Sequence, residues 1–275
     1  MTTFETEAEM EYLRPSLFCD SQAEIIGRAA RNIVGNCRTE QEIAKRIFYW
    51  VRDNIKYELG LTNERASETL IKGAGSCTNK SNLVVALFRN LQIPAGFHLM
   101  EVKARQYLGL FCTERFNQFM GEKSLHTYCA VKIQGQWLKI DPADDIRMSN
   151  SVQHLCSQAR AIEFDGMSDA RLHLNPQDVI SDSEMCWATV DHVLGKQRRL
   201  PSAAMRVFNL YIEFLRQNCI WNDHAQNLED DFFAGLAVSN PELYSEYEQL
   251  ALELKQRLQQ QGPDFKLAST LVQGN

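Results

Sequence analysis

The sequence predicts an α+β fold, and three features carry that expectation. A capping box opens a helix at Thr39, and a glycine-rich stretch, Gly73 to Ser76, leads into a second helix headed by Cys77. Apolar alternation on both sides of Gln134-Gly135 reads as a β-hairpin. A chain of 275 residues suffices for one large domain, or for a core with a smaller annex.

The helices come first. Ile26, Ala30, Ile33 and Val34 recur at helical spacing within Ala23 to Val34. In Thr39-Glu40-Gln41-Glu42 the Thr and Glu side chains can satisfy each other's backbone N–H groups, and Ile43, Ile47, Phe48, Val51 and Ile55 then mark one face. Behind Ser76, a good N-cap residue, Leu83, Val84, Leu87 and Leu91 mark a face of a helix that must stop before Pro94.

Strands follow. Phe97, Leu99 and Val102 alternate with polar or mixed residues. Residues 104–124 have no clean period and read as an inserted loop or short helix. Leu125 to Ile133 and Trp137 to Ile140 alternate around a two-residue turn. Residues 143–200 are less regular. The remainder is helical, with Met205, Phe208, Ile212 and Leu215 on one face. A last helix opens at Asn240-Pro241, bears Leu243, Tyr247, Leu250, Leu254 and Leu258 as its stripe, and ends at Gly262-Pro263. That stripe reads as packing onto the parent domain and also admits a coiled-coil seam between two copies.

Composition narrows the function classes. Hydrophobic residues make up 44% and charged residues 23%, the balance of an ordinary globular chain, and the net charge of −6 gives no footprint for nucleic acid. Lys196-Gln197-Arg198-Arg199 reads as a solvated loop. No basic stretch followed by an apolar run opens the chain and no window approaches a membrane span, so the expectation is a cytoplasmic protein without a membrane partner. Eight dispersed cysteines with no Cys-x-x-Cys pair read as reduced thiols. His98, His154, His173, His192 and His224 lack metal-ligand spacing, and nothing calls for a metal or organic cofactor.

Cys77 stands at the point where a thiol can be activated. Unpaired N–H groups and the helix dipole favour a thiolate in the first turn, and Gly73 and Gly75 leave room for a substrate to approach. Its own N–H is one donor available to an oxyanion. Taken alone, Cys77 reads first as a buried structural thiol.

Hairpin parity changes that reading. With Gln134 and Gly135 as the central residues, Asp141 lies opposite Tyr128, and His126 shares the face of Tyr128. His126 and Asp141 are then diagonal neighbours, with backbones about 7–8 Å apart. The carboxylate can hold one ring nitrogen and leave the other facing a nucleophile. A three-residue loop would reverse the parity.

Two other motifs fail. GAGSCTNKS, residues 73–81, has Ala74 and Asn79 where a phosphate-binding loop needs glycines, and no G-x-S-x-G elbow occurs.

Together the segments Gly75-Ser76-Cys77-Thr78-Asn79-Lys80, Leu91-Gln92-Ile93-Pro94-Ala95, His126-Thr127-Tyr128-Cys129-Ala130-Val131 and Gly135-Gln136-Trp137-Leu138-Lys139-Ile140-Asp141-Pro142 resemble the transglutaminase-like superfamily. The resemblance covers roughly Glu40 to Pro142, and Ile162-Glu163-Phe164-Asp165-Gly166 loosely matches a downstream element of bacterial members. It implies a papain/transglutaminase-like core, a Cys helix packed on an antiparallel sheet. It further implies Cys77 as nucleophile, His126 as general base and acid, and Asp141 as the group orienting the imidazole. The implied reaction attacks an amide or thioester carbonyl to give an acyl-enzyme that water or an amine resolves. The alternative is a silent binding or scaffold module of the same fold; such modules often lack a triad member, whereas this chain keeps all three.

Departures exist. Thr127-Tyr128 stands where the family has Ala-Trp or a similar pair, and residues 104–124 are longer than in the smallest members. The second oxyanion donor has no assignment; Tyr57 is a candidate by position and reads first as a core tyrosine. The expected organisation is a catalytic domain over 1–200 and a helical extension over 201–275. The expected partners are a peptide, protein or small-molecule acyl donor, an amine acceptor, and a second copy through the C-terminal helix.

Overall fold

A computed structural model describes residues 7–60, 63–105, 112–152, 160–194, 202–217 and 225–261. The helices α1 (Glu24–Val34), α2 (Glu40–Asn54) and α3 (Ala66–Lys72) precede the long helix α4 (Cys77–Asn90). Two-residue strands β1 (Lys56–Tyr57) and β2 (Ala74–Gly75) pair in parallel just before α4. The box at Thr39 forms as expected: Glu42 N–H donates to Thr39 Oγ1 at 3.2 Å, and Thr39 N–H to Glu42 Oε2 at 3.3 Å. Ile47, Phe48, Val51 and Ile55 are buried, as their spacing predicts.

Helix α4 departs from the amphipathic expectation, because every residue from Thr78 to Arg89 is buried. It lies enclosed by α1, α2 and α3 on one side and by the sheet on the other. Its polar side chains are buried with partners, as burial demands. Asn82 donates to Phe18 O at 2.6 Å, Ser81 to Thr127 O at 2.9 Å, and Arg89 to the carbonyls of Arg14, Ala95 and Ala188.

The main sheet comprises β3 (Ala95–Lys103), β4 (Lys123–Ile133), β5 (Gln136–Ile140) and β6 (Val179–Asp182), in the order β5-β4-β3-β6, all antiparallel. The hairpin has the two-residue turn that the sequence predicts. Gln134 and Gly135 both take positive φ, 49° and 82°, which suits the tight turn and explains the glycine. Cys129 pairs with Ile140 and Ile133 with Gln136, so the register is the expected one. Strand β4 starts two residues earlier than its alternation suggests, and β6 lies in the stretch that shows no regular pattern. Four residues with a mixed burial pattern are too few to announce a strand.

Among the described residues two large apolar cores form, beside a small cluster of Met100, Val102 and Tyr128. The first lies between α1, α2, α4 and one face of the sheet. The second gathers Tyr57, Phe116, Phe119 and Met120 with α5 (Glu114–Asn117), α6 (Ile146–Val152), α7 (Ser202–Gln217), α8 (Ala225–Ser239) and α9 (Pro241–Gln261). The insertion after β3 is thus partly an anchor: the Phe116 ring meets Phe208, Tyr211, Phe232, Phe233 and Tyr247. Leu243, Tyr247 and Leu254 of the last helix are buried in this core, which is the packing expected of their stripe. Lys196 to Arg199 and Gly262-Pro263 lie outside the described residues.

Candidate active site

Cys77 is the first residue of α4 and is half-buried against the second core. Gly75, two residues before it, must lack a side chain: a Cβ there would sit 2.6 Å from the Asn79 Cβ. Asn79 in turn holds the start of the helix, its Oδ1 accepting from Ser76 N–H at 3.1 Å and from Ser76 Oγ at 2.7 Å.

The hairpin delivers the other two residues. His126 Nε2 lies 2.6 Å from Asp141 Oδ2, and both side chains are 1% exposed. Asp141 Oδ1 accepts from Ala143 N–H at 3.1 Å, and Asp141 N–H donates to Ala170 O at 2.8 Å, so the residue is held by both its side chain and its backbone. The imidazole also acts on the Cys77 thiol by its charge, and with Nε2 committed to Asp141 the ring nitrogen left for the thiol is Nδ1. The structure therefore brings Cys77, His126 and Asp141 into one chain of contacts.

The end of β5 makes this possible. Its ladder with β4 stops at Cys129, so beyond that point no strand among the described residues covers the β4 edge. The Thr127 N–H there helps to hold the Cys77 thiol below its ordinary value. On the helix side Thr127 Oγ1 lies 3.1 Å from Thr78 Oγ1, and Thr127 O accepts from Ser81, which seats α4 on the strand.

Electrostatics follow from these contacts. Burial alone would push the Cys77 thiol up, but the charge and hydrogen bond of His126 and the Thr127 N–H hold it below its ordinary value. Burial also disfavours a charged His126, yet Asp141 and the Cys77 thiolate carry the imidazole well above its usual range. Both shifts favour a thiolate–imidazolium pair. The buried Cys19 and half-buried Cys186 are pushed up to about 12 by desolvation, and Cys112 and Cys129 well above the ordinary thiol value. Such a pair backed by a carboxylate can present a nucleophile to a carbonyl and then protonate a leaving group.

Other charged groups surround the three, and sequence spacing did not reveal them. Lys80 is fully buried one turn along α4 and donates to Ile55 O at 2.6 Å; burial brings its ammonium down to about 8 against the pull of Asp145 and Asp144. Half-buried Asp144 is pushed up to about 6, first by desolvation and then by Asp141. Asp145 and Arg216 form a buried ion pair at 2.5 Å, and Asp145 is held below the usual carboxylate range because that pairing outweighs its burial. Lys80 could have been suspected as a cation inside an apolar helix; Arg216, far along the chain, carries no local signal.

Tyr57 lies in the same apolar cluster as Cys77, as a core tyrosine would. Its hydroxyl is pushed well above its ordinary value, by burial first and then by the charge on Cys77. His98 stacks on Tyr128 and contacts Ser183, and His192 faces Trp187; His154 and His224 lie outside the described residues. Among the described residues no group of three His, Cys, Asp or Glu side chains could hold a metal ion. No described helix is long and apolar enough to cross a membrane. A cavity of about 900 Å³ lies beyond β3, lined by Met100, Arg171, His173 and Asp182 among others, and Cys77 does not line it.

The family model of the transglutaminase-like superfamily core matches residues 27–142, which include all three residues of the contact chain. No curated protein matches the chain. Among solved structures, one described as a "Putative Cysteine Protease from Cytophaga hutchinsonii" is 22% identical with a TM-score of 0.39, over 50% of this chain and 42% of that one. A second, described as a "putative protease from Parabacteroides distasonis", is 14% identical with a TM-score of 0.34, over 51% of this chain and 27% of that one. The match spans less than half the length of either structure. The stretch from Gly27 to Pro142 is thus similar to the core of the transglutaminase-like superfamily.

Proposed function

We propose that the chain is a cysteine-dependent acyl-transfer enzyme that acts on an amide or thioester carbonyl. The observation that carries the reading is the 2.6 Å bond from the His126 imidazole to the Asp141 carboxylate, beside a Cys77 thiol that the imidazole holds below its ordinary pKa. The Cys77 thiolate adds to the carbonyl carbon. The oxyanion takes the Cys77 backbone N–H at the helix start. As the carbon–nitrogen or carbon–sulfur bond breaks, imidazolium gives its proton to the leaving group, which leaves a thioester on Cys77 and a neutral His126. Water or an amine then attacks while His126 takes its proton, and release of the acid or new amide restores thiolate and imidazolium. Asp141 keeps the ring oriented throughout.

Limiting iodoacetamide at pH 6.5 tests the activated thiol. Cys77 is expected to take most of the label, and that preference should vanish in His126→Ala. Labelling no faster than that of Cys19, Cys112, Cys129 and Cys186 would sink the enzyme reading. p-Nitrophenyl acetate tests the acyl step. One equivalent of p-nitrophenolate should be released in a burst that Cys77→Ala lacks, and faster decay of the trapped acyl group with added amines would point to amine transfer.

A further inference from the structure

The segment 55–59 holds a position that its own pairing cannot secure. Strand β1 is two residues long, yet Tyr57 packs in the cluster that includes Cys77. Lys56 N–H donates to Gly73 O at 2.9 Å and Glu58 N–H to Gly75 O at 3.1 Å, tying it to the approach to Cys77. Side chains from three other places do the rest. Lys80 Nζ donates to Ile55 O at 2.6 Å, and Tyr57 N–H donates to Asp145 Oδ2 at 2.9 Å. Arg216 Nη2 donates to Tyr57 O at 2.6 Å. Asn209 takes both polar groups of Leu59, accepting from its N–H at 2.8 Å and donating to its carbonyl at 2.6 Å.

Arg216 and Asn209 both stand on α7, and Lys56 also meets Glu213 of that helix at 3.0 Å. The Arg216 and Asp145 side chains are each 5% exposed. Burying such a pair costs desolvation and is repaid only by good geometry with every remaining donor satisfied. Here the geometry serves the backbone of Tyr57 from both sides. Asn209 imitates a neighbouring strand for Leu59, extending from a helix the pairing that β1 lacks.

We propose that α7, through Arg216 and Asn209, is the positioning element for the wall that Tyr57 forms beside Cys77. The C-terminal helices thereby set which acyl groups reach the thiol. This rests on the reading of Cys77 as the nucleophile. Arg216 is a positioning residue, acting through Asp145 and the Tyr57 backbone rather than on substrate. Lysine cannot replace it, because one ammonium lacks the planar fork that spans Asp145 and the Tyr57 carbonyl together.

The experiment compares two alkylating agents with one warhead, iodoacetamide and N-(1-naphthyl)iodoacetamide, on Cys77 of the full chain. The ratio of their rates cancels any change in thiolate fraction and reports the shape of the approach. In Arg216→Lys the preference for the small reagent is expected to fall about tenfold, less than the loss a full 1 Å misplacement can cause. Asn209→Ala should move the ratio in the same direction. Were Arg216→Lys to unfold, Asn209→Ala carries the test, since it removes two hydrogen bonds and no buried charge. A wild-type ratio in the folded variants would overturn the inference and leave the reading of Cys77 intact. A wild-type Cys77 no more reactive than the other thiols would overturn both.

Discussion

His126 Nε2 and Asp141 Oδ2 meet at 2.6 Å across a hairpin whose two-residue turn decides that they meet at all. The carboxylate favours the imidazolium, and the imidazolium favours the thiolate. Asp141→Asn keeps a hydrogen-bonding group but removes the charge. His126 should then lose its proton at lower pH, and the thiol should move up toward its ordinary value. The p-nitrophenyl acetate burst rate is expected to fall roughly 10²- to 10⁴-fold. The pH profile of Cys77 alkylation should shift to higher pH; an unmoved profile would separate Asp141 from the thiol.

Gly75→Ala tests the approach to the proposed nucleophile. The added Cβ would lie 2.6 Å from the Asn79 Cβ and 3.2 Å from Thr69 Cγ2. Overpacking of this kind costs about 1–3 kcal/mol. Because Asn79 holds the start of α4, Cys77 labelling should fall more than the unfolding midpoint suggests. Denaturant titration and labelling of the same sample check this.

Asp144 links stability to pH. Its folded value is raised to about 6 from an ordinary 3.8, so the folded state resists ionisation. Below about pH 4 both states are protonated and the residue has no effect. Between about 4 and 6 the unfolded chain gives up the proton first, and stability is lost as pH rises. Asp144→Asn should therefore stabilise the protein at pH 7–8 by about 1–2 kcal/mol, after allowance for partial exposure, and by nothing near pH 3. Urea unfolding at the two pH values measures the difference; equal gains at both would exclude this origin.

Phe116 ties the insertion to the C-terminal helices, and its side chain is 2% exposed. Phe116→Ala should cost about 3–5 kcal/mol. Since that core also includes Tyr57, with Cys77 packed against it, selective Cys77 labelling should decline alongside the thermal midpoint. Thermal unfolding followed by circular dichroism, with labelling at each temperature, tests the coupling.

Legibility in the sequence followed the range of the interactions. The capped helix at Thr39, the Cys77 helix and the 134–135 turn were readable because each is specified by neighbours a few residues apart. Parity then fixed the meeting of His126 and Asp141 without any knowledge of the rest. Strand β6 escaped because it is four residues long, and helix α8 was readable only as part of a helical remainder, since it bears apolar residues around much of its surface. Lys80, Asp145 and Arg216 escaped for a different reason. Their partners are brought to them by packing, and no spacing along the chain records a bond such as Arg216 to Tyr57.

The early end of β5 has a consequence for the order in which reactivity appears during folding. The His126–Asp141 contact closes a local loop, whereas Cys77 reaches the open β4 edge at Thr127 only once α4 is seated on the sheet. Contacts distant in sequence form late, after the entropy of closing their loops has been met. A partly folded chain therefore holds an ordered histidine and an ordinary thiol, and the thiolate arises with the last docking step. In pulse alkylation during refolding, the fast-labelling phase of Cys77 should lag behind hairpin formation.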